Sequence, residues 1–184
     1  MTLKRSIILL SFVSFLIACG SANVNSAADE ATLQAMMETK SFEIISQSAS
    51  PQNTTAFNAV ANSGLLMPGS SAGLISLIGN TNYLKVHGDT ISGFLPFYGE
   101  RRLGGSYGTQ DVGIKFEGIP SDYEVKIGKK NVREIRFTIH DKEQRSEEYQ
   151  IRINIYPNLS ANINVNSSHR TSISYRGHAS TSEK

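Results

Sequence analysis

Gly69-Ser70-Ser71-Ala72-Gly73 matches G-x-S-x-G, the spacing of a nucleophile elbow that presents a serine hydroxyl for attack on an acyl carbon. Such an elbow needs a strand before it, a helix after it and a parallel sheet beneath. Here Pro68 precedes the motif and the β-like run Leu74–Ile78 follows it, so a serine hydrolase built on Ser71 is the weakest of the function classes open to the chain. A second stretch, FLPFYGERRLGGSYG at 94–108, carries more binding chemistry. Arg101 and Arg102 suit a clamp on a carboxylate or phosphate, and Tyr98 and Tyr107 suit stacking on a sugar or an aromatic ring. These four are the candidate ligand-binding residues. The competing reading assigns Phe94 and Phe97 to the core, lets Pro96 end a strand, and uses the glycines for a tight return into GIKFEG. Neither a P-loop nor a dinucleotide fingerprint is present, so no cofactor is expected.

The remaining chemistry is sparse. His87, His140, His169 and His178 show no metal-ligand spacing, and each reads as a solvated surface histidine beside a turn or strand end. Glu117, Asp122 and Glu124 alternate with apolar positions, as on a wet strand face. DKEQRSEE lacks the glycine and oxygen-ligand spacing of a calcium loop. No metal site and no catalytic residue are expected.

The first residues, MTLKRSIILLSFVSFLIACG, have a basic tip at Lys4 and Arg5 and an apolar run from Ile7 to Ala18, too short to span a bilayer and ordered as a secretory signal. Leu16-Ile17-Ala18-Cys19 resembles the lipobox of bacterial lipoproteins, in which the cysteine is acylated after cleavage before it. Cys19 is the single cysteine, so the chain has no internal disulfide and no cysteine-based metal site. Two or more acyl chains anchor stably, which predicts a protein that sits on a membrane without crossing it; the expected address is the Gram-negative cell envelope, at the outer membrane. Cleavage removes Lys4 and Arg5, reducing 18 basic residues to 16 against 16 acidic ones. A neutral chain without a basic cluster gives no case for nucleic acid as a partner.

Those sites need elements to position them. Residues 1–18 read as the signal peptide, 19–28 as a lipidated tether, 29–177 as a single β-rich domain and 178–184 as a polar tail. Ser26-Ala27-Ala28-Asp29 has the form of a helix start, predicting one short helix that ends near Lys40, with Asp29, Glu30 and Lys40 complementing its dipole. Beyond residue 80 the period becomes two. REIRFTIH places Ile135, Phe137 and Ile139 on one face, EYQIRINIY places Tyr149, Ile151, Ile153 and Ile155, and ANINVN and TSISYR continue the pattern with Ala161, Ile163, Val165, Thr171, Ile173 and Tyr175.

Gly88-Asp89 forms a two-residue hairpin turn, and Gly128–Asn131, Asp141–Ser146 and Pro157–Ser160 are too short to hold crossover helices. The expected architecture is therefore mainly β, an antiparallel meander forming a sandwich or partly closed barrel with one short N-terminal helix. Within 47–79, a strand is expected near Thr55–Ala61, a loop around Pro68 and a strand from about Leu74.

The order YLKVHGDTISGFLPFYG, a Gly- and Tyr-rich loop, GIKFEG, DYEV, IRINIYPN and NVNSSHRTSISYRG resembles the bacterial lipoprotein family termed domain of unknown function 4251. The resemblance runs from the helix to Gly177 and departs at 47–79, which is longer than the family's usual connection. It implies an envelope address and a strand pattern, and it transfers no catalytic residue. The expected function is a lipid-anchored, noncatalytic binding module for an envelope protein, a glycan or a small ligand, with a structural envelope role as the alternative.

Overall fold

The computed structural model describes residues 27–64, 66, 68–103 and 113–182. The expected signal peptide, Cys19 and Tyr107 lie outside the described residues. Ten strands form one antiparallel sheet: β1 (Ser41–Pro51), β2 (Ile75–Ser76), β3 (Tyr83–His87), β4 (Thr90–Leu95), β5 (Ile114–Gly118), β6 (Ser121–Ile127), β7 (Arg133–His140), β8 (Glu148–Ile155), β9 (Ser160–Ser167) and β10 (Ile173–Thr181). Their order is β5-β4-β3-β1-β10-β9-β8-β7-β6, with β2 paired to β1 beside that path. The expected meander is present as β7 to β10.

The two end strands, β5 and β6, are consecutive in sequence, so the sheet curls into a half-barrel. Phe116 on β5 meets Phe137 and Tyr149 across the interior, with ring centroids 6.4 and 6.2 Å apart. The alternation read in the sequence explains this interior: Ile135, Phe137, Ile151, Ile153, Ile163 and Val165 are all buried, and the polar residues between them face out.

Helix α1 (Ala27–Thr39) buries Leu33 and Met36, three residues apart on one face, against this core. Lys40 stands just past the helix at φ 48° and pairs with Asp89 at 2.8 Å. At the other end Asn131 Nδ2 donates to Glu30 at 2.7 Å. The helix is thus tied to the turns of two hairpins, β3–β4 and β6–β7.

A bulge between Ser46 and Ser48 divides β1. Before it Phe42, Ile44 and Ser46 are buried, and after it Ala49 and Pro51, so the inward phase shifts by one residue as an inserted residue requires. Gly177 lies opposite: a Cβ there would stand 2.1 Å from the Ile45 carbonyl oxygen.

The structure corrects four readings. Thr55–Ala61 belongs to a second helix, α2 (Thr55–Asn62), because Thr54 adopts an extended conformation and its hydroxyl accepts the Phe57 N–H at 3.1 Å as an N-cap. The strand from Leu74 shrinks to the two residues of β2. The last strand continues past Gly177 to Thr181, since β1 still pairs with it through Phe42. Phe94 lies on the face opposite buried Leu95 and Gly93 and is only half-buried, so it is not part of the core.

Candidate functional site

Pro96 ends β4, as expected, and its carbonyl accepts the Tyr175 hydroxyl at 2.9 Å. The chain then runs along the β9–β10 connection. Thr171 N–H donates to the Glu100 carbonyl at 2.9 Å, Glu100 N–H returns a bond to Thr171 Oγ1 at 3.1 Å, and Arg102 N–H donates to the His169 carbonyl at 2.7 Å. Phe97 and Tyr98 pack half-buried against the core, and burial raises the pKa of the Tyr98 hydroxyl.

Beneath this loop lies a charge cluster. Glu147 is fully buried and accepts Arg170 Nε at 2.7 Å and Nη2 at 3.2 Å. It also accepts Ser167 Oγ and Arg101 Nη2, each at 2.7 Å. Arg170 donates a further bond to the Gly113 carbonyl at 3.0 Å and lies 5.3 Å from the centre of the Phe97 ring. Asp141 accepts the Tyr149 hydroxyl at 2.6 Å and the N–H groups of Glu143 and Gln144. Burial, and then that bond from Tyr149 to Asp141, hold the Tyr149 hydroxyl far above the ordinary phenol range. Two arginines against two carboxylates, each multiply bonded, satisfy the condition under which charges tolerate burial. The cluster joins three connections, β4–β5, β7–β8 and β9–β10.

Of the four candidate ligand residues, Arg101 is committed to Glu147, Gln144 and the Leu103 carbonyl, and Tyr98 to core packing. Arg102 is exposed and enters this locus through its backbone N–H to the His169 carbonyl, and Tyr107 lies outside the described residues. The two adjacent arginines thus have different surroundings, Arg101 with its guanidinium in the charge cluster and Arg102 with an exposed side chain. Sequence reasoning missed Glu147, Asp141 and Arg170. A signal existed for the first two: Glu147 continues the inward phase of Tyr149 and Ile151, and Asp141 that of Phe137 and Ile139.

Ser71 has no elbow. It forms a tight bridge with Leu74, N–H to carbonyl at 2.7 and 3.2 Å, with no helix following. Among the described residues, no three His, Cys, Asp or Glu side chains converge as a metal site, and no helix is long and apolar enough to cross a membrane.

A second polar locus lies on the outer face of β6 to β9, where a cleft of about 300 Å³ opens. Arg136, Arg152 and Asn164 stand side by side across β7, β8 and β9, and Thr138, Gln150 and Asn166 form the next row. Its far wall is β6, whose register shifts between Ser121 and Glu124 and whose Asp122 has φ 53°. Arg136 approaches Glu134 at 3.5 Å. The side chains of Gln150, Arg152 and Asn164 have no hydrogen-bond or ion-pair partner among the described residues.

The model of the family described as domain of unknown function (DUF4251) matches residues 25–179. The chain belongs to the DUF4251 family. A crystal structure of a DUF4251 family protein from Bacteroides eggerthii superposes with a TM-score of 0.53 at 15% identity, covering 84% of this chain and 89% of that one. At that identity the likeness concerns the fold. No curated protein matches the chain. The DUF4251 match spans α1 and the sheet as far as Ala179 in β10, so the long 47–79 segment, with α2 and β2, is held inside the family's domain.

Proposed function

We propose that this DUF4251 protein is a lipid-anchored, noncatalytic binding module of the Gram-negative cell envelope, displayed at the outer membrane. The address rests on Leu16-Ile17-Ala18-Cys19 following a short apolar signal, with about eight residues of small polar tether before α1. The observation that carries the binding role is the contrast between two polar loci. In the loop cluster every charged group is consumed internally, which makes that locus scaffold. On the β6–β9 face Gln150, Arg152 and Asn164 line a cleft with their hydrogen-bonding capacity unspent.

Cys19→Ala tests the anchor. The variant is expected to lose acylation and membrane association, and inhibition of the lipoprotein signal peptidase is expected to accumulate the precursor. Soluble export of wild-type protein would overturn the address. For the noncatalytic role, a broad ester and glycoside hydrolysis screen is expected to show no turnover that Ser71→Ala removes.

A further inference from the structure

We infer that the cleft on the β6–β9 face binds a neutral, hydroxyl-rich ligand, a glycan; the inference rests on the binding-module reading above and supplies its ligand class. Charge narrows the choice first. Arg136 and Arg152 are directly opposed across β7 and β8, an arrangement unfavourable on its own and suited to an anion between them. Asp122 and Glu124 on the β6 wall, however, bring two carboxylates to the same cleft, Glu124 opposite Arg136 and ion-paired with Lys126 at 2.7 Å. An anion attracted by one wall is repelled by the other, and a cation meets the reverse. A neutral ligand meets neither penalty.

Polarity narrows it further. Phe137 and Ile151 form the floor, but their side chains are buried on the other face, at 3% and 2% exposure, so an apolar ligand finds little surface. The cleft instead combines donor-only guanidinium groups, acceptor-only carboxylates and the two-way amides of Gln150 and Asn164. A hydroxyl both donates and accepts, so a row of hydroxyls can use all three kinds. Each of these side chains ends in a planar group with at least two polar positions, the geometry that engages adjacent hydroxyls two at a time. An extended peptide would seek an unpaired strand edge for its backbone. This locus is a sheet face whose central strands, β7 and β8, are paired on both sides.

The test uses the full lipidated protein in detergent on an array of neutral and acidic oligosaccharides, with Arg152→Ala/Asn164→Ala as the variant. Both side chains are exposed, so the variant is expected to fold, and an unchanged melting temperature confirms it. Binding of a neutral glycan class is expected, persisting in about 0.5 M salt, where exposed charge attraction is screened. The double variant is expected to bind about tenfold more weakly, from hydrogen bonds lost at two side chains. Absence of any neutral glycan binding, or binding the variant leaves unchanged, overturns the inference. If acidic glycans or an envelope protein bind instead and the variant abolishes that binding, the ligand class is wrong while the binding module stands. If no ligand of any class distinguishes variant from wild type, both readings fall.

Discussion

Arg170 and Glu147 form a two-point ion pair, Nε to Oε1 at 2.7 Å and Nη2 to Oε2 at 3.2 Å, with both side chains buried beneath the β4–β5 connection. Removing one partner takes the two-point bond from a buried charge, leaving Glu147 with Arg101 and Ser167, or Arg170 with Asp141 at 4.0 Å and the Gly113 carbonyl. Glu147→Gln is expected to destabilise the fold by about 3–5 kcal/mol in chemical denaturation, and Arg170→Met by a similar amount. The double variant should cost much less than the sum, because neither charge is then left alone. Additive losses would show that the two residues act separately.

Arg101 and Arg102 are adjacent in sequence and different in role. Arg101 reaches Glu147 with its guanidinium, whereas Arg102 contributes its backbone N–H to the His169 carbonyl and leaves its side chain exposed. Arg101→Ala should cost about 1–2 kcal/mol, since Glu147 keeps Arg170 and loses only one charged bond. Arg102→Ala should stay within about 0.5 kcal/mol. Equal losses would contradict the assignment of Arg101 to the scaffold.

The strand pattern from Tyr83 onward was legible because half-buried strands repeat every two residues and the turns between them are short. What sequence patterning could not rank was polarity inside that pattern. Glu147 and Asp141 hold inward-phase positions, but an acidic residue in a charged loop reads as solvated until Arg170, Arg101 and Tyr149 are brought to it by contacts from distant parts of the chain. Thr55–Asn62 misleads for a different reason: eight residues with Phe57 as their one buried side chain carry too little periodicity to separate helix from strand, and the deciding group is the Thr54 cap. Phe94 illustrates the same limit, because Leu95 beside it takes the inward place. The free side chains of the β6–β9 cleft were visible as outward polar residues, and their grouping depends on strand register.

Two glycines are fixed by neighbours. A Cβ at Gly93 would stand 2.3 Å from Cζ of the Phe116 ring, which packs over that backbone from β5. Gly93→Ala is expected to cost about 1–3 kcal/mol, and Phe116→Leu in the same chain should recover part of it by vacating the space. At Gly177 the obstacle is the Ile45 carbonyl, a backbone atom that cannot rotate aside. Gly177→Ala should therefore be the more damaging of the two in thermal denaturation, and the reverse order would contradict the bulge geometry at Ser46–Ser48.

Tyr149 and Tyr175 make the fold sensitive to alkali. Burial raises both phenols well above their ordinary value, and at Tyr149 the bond to Asp141 adds to it. The folded protein keeps these two protons at pH values where the unfolded chain, titrating near about 10, releases them. The unfolded state then binds fewer protons, so stability must fall as pH rises above about 10, and the contribution is fully present below it. Phenolate absorbance should show these tyrosines ionising only together with unfolding. Tyr149→Phe should flatten the alkaline slope while costing about 1–3 kcal/mol at neutral pH, because Asp141 loses its buried donor. A stability that stays level from pH about 9 to about 11 would show that the two hydroxyls reach solvent in the folded state.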